Sequence, residues 1–189
     1  MRSVLRNMAV LLLAACCQTA CHAGNGNTSQ PAEGKADKSL VVYFSATGTT
    51  REAAKQLAKV THADLLEITP QKPYTAADLD WHDKQSRSSV EMQDNKARPA
   101  LKMGKRDMAA YKTIYLGYPI WWNQAPRVIN TFVEAYKLGG KTVVPFATSG
   151  GSSIDNSVKV LRSAYPKVNW QKGFLLNDAS ENDIKKLVK

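Results

Sequence analysis

The chain has 189 residues, which is enough for one domain with a hydrophobic core but short for two. Its formal net charge is +10, and such a charge can indicate nucleic-acid binding. The basic residues, however, are spread along the chain, without zinc-ligand spacing or an RNA-binding motif. We therefore predict one soluble domain that does not bind nucleic acid.

The first 23 residues predict an export signal. Arg2 and Arg6 precede an apolar run that is too short to span a bilayer as a helix. The sequence LAAC at residues 13–16 resembles a bacterial lipoprotein signal, in which Cys16 would carry the lipid. Cleavage after Ala23 is the alternative. Either site predicts an exported protein, periplasmic or anchored to a bacterial membrane.

Residues 24–38 predict a flexible linker, because they are polar, contain Gly and Pro, and show no periodicity. All three cysteines precede this linker, so the remaining chain offers neither a disulfide nor a cysteine nucleophile. The folded domain is predicted to span residues 39–189.

Apolar runs in this domain predict five strands. Three runs are almost continuously apolar, as expected for strands covered on both faces. Pro145 lies inside the fourth run and predicts a bulge or a break there, because proline cannot donate a hydrogen bond to a sheet. The predicted strands are 40–44, 64–68, 113–117, 142–147 and a last one near 172–176.

Helical patterns separate the strands. Thr49 and Glu52 fit a capping box, and Pro126 suits the first turn of a second helix. Ser152 and Asp155 are candidates to cap a third helix. Residues 178–189 predict a terminal helix, and the polar segment 75–103 predicts a partly helical crossover. This alternation predicts an α/β fold with a parallel sheet between helices.

Three loops follow the first, third and fourth strands, at the sheet edge where α/β proteins bind ligands. The first, residues 45–50, is rich in hydroxyl groups and precedes a helix, which favours an anion site. It lacks the lysine of a nucleotide triphosphate loop. The second loop reads GYPIWWNQAP (117–126), and its adjacent tryptophans cannot easily both point into a core. The third, residues 147–153, is small and polar.

The motif S-x-T-G-x-T at residues 45–50 resembles the phosphate loop of flavodoxins. GYPIWW is similar to the flavin-ring loop of one flavodoxin-like family, and residues 147–153 stand where the second flavin loop is found. The resemblance implies a short-chain flavodoxin-like three-layer α/β/α sandwich, five parallel strands in the order 2-1-3-4-5, and FMN as cofactor. It assigns the cofactor to Ser45, Ala46, Thr47, Gly48, Thr49, Thr50, Tyr118, Pro119, Ile120, Trp121, Trp122, Asn123, Thr148, Ser149, Gly150 and Gly151.

Two departures from the flavodoxin pattern bear on function. The third loop has no aromatic residue, which leaves one face of a bound flavin open, and neither ring loop has a carboxylate. We predict an FMN-binding redox protein that transfers electrons at the cell envelope to a redox partner protein or a quinone-type substrate. The alternatives are an FMN-dependent quinone or NAD(P)H reductase and a scaffold that binds no flavin.

The remaining candidates for chemistry are few. His62 and His82 have no ligand partner at metal spacing and are predicted to be structural or on the surface. Trp81 and Trp170 are predicted to be packing residues. The sequence therefore predicts neither a metal site nor a catalytic acid or base.

Overall fold

The computed structural model describes residues 38–102, 104 and 106–188. The predicted leader (1–23), Cys16 and all of the predicted linker except its last residue lie outside them. The strands are β1 (Lys38–Tyr43), β2 (Asp64–Glu67), β3 (Tyr111–Pro119), β4 (Thr142–Thr148), β5 (Asn169–Trp170) and β6 (Phe174–Leu175). The helices are α1 (Thr49–Thr61), α2 (Arg87–Gln93), α3 (Arg127–Ala135), α4 (Asp155–Ala164) and α5 (Glu181–Leu187).

The sheet has the order β2-β1-β3-β4-β5, and all of its pairings are parallel. Strand β6 also pairs with β4, beyond the end of β5. The predicted order 2-1-3-4-5 is thus confirmed. It places the carboxyl ends of β1, β3 and β4 side by side, so the three loops that follow them share one edge.

Two hydrophobic cores lie on opposite faces of the sheet. Alternate residues of β1 belong to different cores: Leu40 and Val42 to one, and Val41 and Tyr43 to the other. Helices α3 and α4 contribute buried residues to the first core, and α1 and α5 to the second. The fold is therefore the predicted three-layer α/β/α sandwich.

Pro145 affects the sheet differently from what we predicted. Strand β4 is continuous, and its register with β3 is unbroken from Thr142 to Thr148. The break lies instead next to β4: the predicted strand near 172–176 is found as β6, and the separate short strand β5 precedes it. The backbone N–H groups of Gln171 and Leu176 reach the carbonyls of Val143 and Ala147, which flank Pro145 along β4. The missing donor of Pro145 thus faces the gap between β5 and β6.

Two predicted helix caps are wrong. Gly48, not Thr49, precedes the first residue of α1, and no side chain caps that end. Helix α4 begins after Ile154, again without a side-chain cap. A reciprocal capping box does occur at α5, between Ser180 and Asp183. In the crossover, residues 75–102 form a short 3-10 turn at Ala77–Leu79 and the helix α2.

Candidate functional site

The turn at residues 45–50 connects β1 to α1 at the carboxyl edge of the sheet. One of its hydrogen bonds is local: the hydroxyl of Ser45 accepts from the N–H of Gly48 at 3.1 Å. Gly48 has φ 102°, and an added Cβ would meet no atom within 4 Å. The glycine is therefore required by backbone conformation rather than by crowding.

The first helical residues of α1 leave backbone donors available at this turn. In the described part of the chain, no acceptor is bonded to the N–H groups of Thr49, Thr50 or Arg51. The positive end of the helix dipole adds to these donors, so the turn suits an anion. The side chain of Arg51 is turned elsewhere, since its guanidinium bonds to Glu67 Oε1 at 2.7 Å.

The hydroxyls of the turn have different surroundings. Thr47 and Thr49 are exposed and free to donate to a ligand. Thr50 is buried, and its hydroxyl lies 2.8 Å from that of Thr148 at the end of β4. Two predicted cofactor residues thus bond to each other and connect the first loop to the third.

The second loop forms a tight hairpin at its tip. Trp121 and Gln124 exchange two backbone hydrogen bonds of 2.9 Å, and the residues between them, Trp122 and Asn123, have φ of 45° and 59°. This is the geometry of a type I′ turn, which normally uses Asn-Gly. A bulky residue at positive φ is strained, and such strain concentrates at functional sites. The carbonyl of Asn123 accepts from Asn156 at 2.9 Å, which fixes the tip against α4.

The adjacent tryptophans point in different directions, as the sequence predicted. Trp121 is partly buried and packs edge-on against Phe44 and Tyr74, with ring centroids 5.7 and 5.3 Å apart. Trp122 stands at the tip of the hairpin and is 45% exposed. One indole therefore anchors the loop, and the other is presented to solvent.

A cleft of about 380 Å³ lies between the first two loops and the crossover. This volume is within the usual range for ligand pockets. Among the residues predicted to bind the cofactor, its lining includes Ala46, Thr47, Pro119, Ile120, Trp121 and Trp122. The crossover adds Leu79, Trp81 and Ser88, which the sequence does not predict as site residues.

The prediction for Trp81 is wrong. Its side chain is 67% exposed and lines the cleft, whereas a packing residue would be buried. The 75–103 segment has no periodic apolar pattern, so its path over the cleft could not be read from the sequence. Trp170 does pack as predicted: it is buried, and its indole N–H donates to the Tyr165 carbonyl at 3.0 Å.

A partly buried cluster supports the crossover beside the cleft. The guanidinium of Arg87 lies 3.9 Å from the ring centroid of Tyr74 and bonds to Glu91 at 2.6 Å. The Tyr74 hydroxyl donates to the same carboxylate. Burial, followed by this hydrogen bond, raises the pKa of Tyr74, so the phenol keeps its proton. Because Tyr74 also contacts Trp121, the cluster joins the crossover to the hairpin.

Arg127 makes a second connection between these two elements. It is 3% exposed, and its hydrogen-bond partners among the described residues are neutral oxygen atoms. It donates to the carbonyl of Met92 at 2.9 Å and to Asn95 at 2.7 Å, next to the end of α2. A longer bond of 3.4 Å reaches Gln124 in the hairpin. Burial lowers the pKa of Arg127, but an arginine in a protein still remains charged at neutral pH.

The third loop and Tyr118 do not line the cleft. The Ser149 hydroxyl accepts from the backbone N–H groups of Gly151 and Ser152. The backbone N–H of Ser149 donates to the side-chain oxygen of Asn177 at 3.0 Å. Gly150 and Gly151 are exposed, with open space around them. Tyr118 is fully buried, and its hydroxyl lies 3.0 Å from that of Ser157.

Acidic residues are absent from the two ring loops but present on the crossover. Asp78, Asp80 and Asp83 lie on either side of Leu79 and Trp81. Each carboxylate accepts a nearby backbone N–H at 2.8 or 2.9 Å. Hydrogen bonds from Thr75 lower the pKa of Asp78. The acidic residues next to Leu79 and Trp81 therefore lie on the crossover and not on the two ring loops.

The described residues contain neither a metal-binding cluster nor a membrane-spanning helix. No group of three His, Cys, Asp or Glu side chains there could hold a metal ion. None of the helices in that part of the chain is both long and apolar enough to cross a bilayer.

Comparison with solved structures shows strong similarity to two Bacteroides proteins that are provisionally described as flavoproteins. The one from Bacteroides eggerthii is 57% identical, and the alignment covers 80% of this chain and 95% of that one, with a TM-score of 0.78. The one from Bacteroides uniformis is 60% identical, with 80% and 97% covered and the same TM-score.

A flavoprotein from Lactobacillus acidophilus, solved in complex with FMN, is 22% identical. Its TM-score is 0.64 over 82% of this chain and all of that one, which shows a shared fold. No curated protein matches the chain. The family model described as flavodoxin matches residues 38–189. The sheet order, the three loops at one edge and this match together show that the chain belongs to the flavodoxin family.

Proposed function

We propose that the protein binds FMN and transfers electrons at the cell envelope. One observation carries the proposal: the anion-binding turn and the aromatic cleft are continuous, because Ala46 and Thr47 belong to both. A ligand with a phosphate and a flat ring fits this combination. FMN, when bound, supplies one- and two-electron chemistry, and the protein's part is to hold and orient it.

The described residues divide the binding between phosphate and ring. The free N–H groups of Thr49 and Thr50 and the exposed hydroxyls of Thr47 and Thr49 are the donors for the phosphate. Trp121 and Trp122 provide the apolar surface for the ring. The Lactobacillus acidophilus flavoprotein, which shares the fold, was solved in complex with FMN, and this supports FMN as the ligand.

The envelope location rests on the leader. Its basic start, its apolar run and Cys16 support export and lipid attachment. A lipid anchor would keep the domain close to a membrane-side electron donor or acceptor, a redox protein or a quinone. The positive charge of the chain favours a partner with an acidic surface. Membrane fractionation of the wild type and Cys16→Ser tests this part: the variant is expected to leave the membrane fraction.

Titration of the purified protein with FMN, followed by desalting, tests the cofactor. We expect visible flavin absorption to remain with the protein and flavin fluorescence to be quenched by stacking on indole. Riboflavin lacks the phosphate and should bind more weakly, by about tenfold or more, since charge-assisted hydrogen bonds contribute about 1.5–3 kcal/mol each. A protein that retains neither ligand would contradict the redox function and favour a scaffold.

A further inference from the structure

Two of the large apolar side chains that are exposed in the described residues meet at the same cleft. Trp81 is 67% exposed and Trp122 is 45% exposed, and both line the cleft. They reach it from different elements, Trp81 from the crossover and Trp122 from the hairpin after β3. Exposed apolar side chains gathered at one concave surface indicate a binding site rather than ordinary surface variation.

Trp81 lies on a braced segment. The preceding 3-10 turn is closed by reciprocal bonds between Thr75 and Asp78, of 2.9 and 3.2 Å. Immediately after Trp81, the N–H of His82 donates to Asp80 at 2.9 Å. The rings of Trp81 and His82 are 3.5 Å apart and inclined by 34°, so the imidazole supports the indole. The indole is thus held in place while much of its surface remains available.

Side-chain contacts of Tyr74 connect the two walls of the cleft, which are the crossover and the hairpin after β3. On the crossover side, Tyr74 contacts Arg87 and Glu91, and on the hairpin side it contacts Trp121. Trp121 forms ring contacts with Phe44 and Tyr74, whereas among the described residues no ring contact joins Trp81 to either hairpin tryptophan. Space therefore remains between the two aromatic walls, and a planar ligand is the shape that fills it.

We propose that Trp81 is a binding residue for the flavin ring and forms the second wall of the ring site, facing Trp122. The inference rests on the proposed function, because the planar ligand is FMN. Trp81 supplies the aromatic contact that the third loop lacks. With both faces of the ring covered, partners reach it only at its edge, which favours electron exchange with a protein over stacking by a nicotinamide or quinone.

The test compares FMN dissociation constants, measured by flavin fluorescence quenching, in wild type, Trp81→Ala, Trp81→Phe and Val90→Ala. Val90 is a matched control, because it is an exposed apolar residue of the same crossover that does not line the cleft. We expect Trp81→Ala to raise the dissociation constant about tenfold for both FMN and riboflavin, as loss of an aromatic stacking partner does. Trp81→Phe should restore most of the affinity, and Val90→Ala should match wild type.

Unchanged affinity in Trp81→Ala, with FMN bound tightly by wild type, would overturn this inference and leave the proposed function standing. A wild type that binds no FMN would overturn both. Trp81→Leu keeps an apolar side chain without an aromatic face, and we expect it to lose affinity as Trp81→Ala does. It decides the question if the alanine variant does not fold.

Discussion

The turn at residues 45–50 and the aromatic cleft beside it lie at the same edge of the sheet, but they are built differently. The turn is a single short segment, and its positive φ falls on a glycine. The cleft combines the hairpin with the crossover, and its positive φ falls on Trp122 and Asn123. The turn is thus formed by one segment without backbone strain, whereas the cleft is formed by two segments, one of which is strained at positive φ.

Because of this difference, the turn and the cleft contribute different contacts to a ligand. A phosphate needs donors and a helix end, and one strand–turn–helix supplies both. A flat ring needs apolar surface on more than one side, and in this chain that surface comes from segments about 40 residues apart in sequence. Changes at exposed positions of the turn should therefore act on ligand binding alone, whereas changes to the contacts that join the hairpin to the crossover should alter binding and stability together.

The largest effect is expected for Thr49→Glu. A carboxylate at the first residue of α1 would stand against the phosphate, and like charges at about 4 Å cost enough to weaken FMN binding 100-fold or more. The fold should survive, because an acidic residue in the first turn is favourable for a helix. Fluorescence titration measures the affinity, and thermal unfolding checks the fold.

Gln56→Glu is the control for this variant. It adds the same charge to the exposed surface of α1, farther along the helix from the turn. We expect its FMN affinity to stay within about twofold of wild type, because exposed charges at such distances are largely screened. Equal FMN affinity in Thr49→Glu and wild type would show that the phosphate does not bind at this turn.

The contrast between the turn and the cleft also limits what the sequence could predict. The strands were placed within a few residues because covered strands leave continuous apolar runs, as in β1, β3 and β4. The glycine-containing turn was recognisable because its signal is contiguous. The cap was misassigned to Thr49 because the capping-box pattern ignores a glycine at positive φ immediately before it. Trp81 was missed because the position of the crossover depends on contacts with distant segments, such as that of Tyr74 with Trp121.

The next largest effect is expected for Arg127→Met. The change removes a buried cation and leaves the carbonyls of Glu91 and Met92 without a donor. We expect the free energy of unfolding to fall by about 3 kcal/mol, since each buried unsatisfied acceptor costs about 1–3 kcal/mol. FMN affinity should fall as well, because the two walls of the cleft lose a connection. Chemical denaturation and titration measure the two effects.

Arg98→Met controls for the loss of a positive charge in the same region. Arg98 pairs with Glu134 at 2.8 Å, but both side chains are partly exposed. Exposed ion pairs contribute about 0–1 kcal/mol, so the loss of stability should be small and FMN affinity unchanged. If Arg127→Met changed stability without changing affinity, the cleft would not depend on the crossover as we describe.

A smaller and opposite pair of effects is expected for Trp122→Gly. Glycine tolerates the φ of 45°, so the free energy of unfolding should rise by about 0.5–1 kcal/mol. The same change removes the exposed indole, and FMN affinity should fall about tenfold. In Asn123→Gly, which relaxes the same turn but keeps the indole, affinity should be unchanged. A Trp122→Gly variant that is less stable than wild type would refute strain at the hairpin tip.

The smallest effect on FMN affinity is expected at the contact between the first and third loops. Thr50 and Thr148 share a buried hydrogen bond of 2.8 Å, so the first loop is not wholly independent of the rest of the site. Each single replacement by valine leaves one buried hydroxyl without a hydrogen-bond partner and should lower the free energy of unfolding by about 1–2 kcal/mol. The double replacement should be nearly neutral. If instead the single costs simply add, the two threonines do not depend on each other, and the turn is as local as its sequence suggests. If the two stability costs are coupled but FMN affinity is unchanged, this contact stabilises the fold without affecting the site. If affinity falls in parallel, Thr50 is one of the residues that shape the phosphate site.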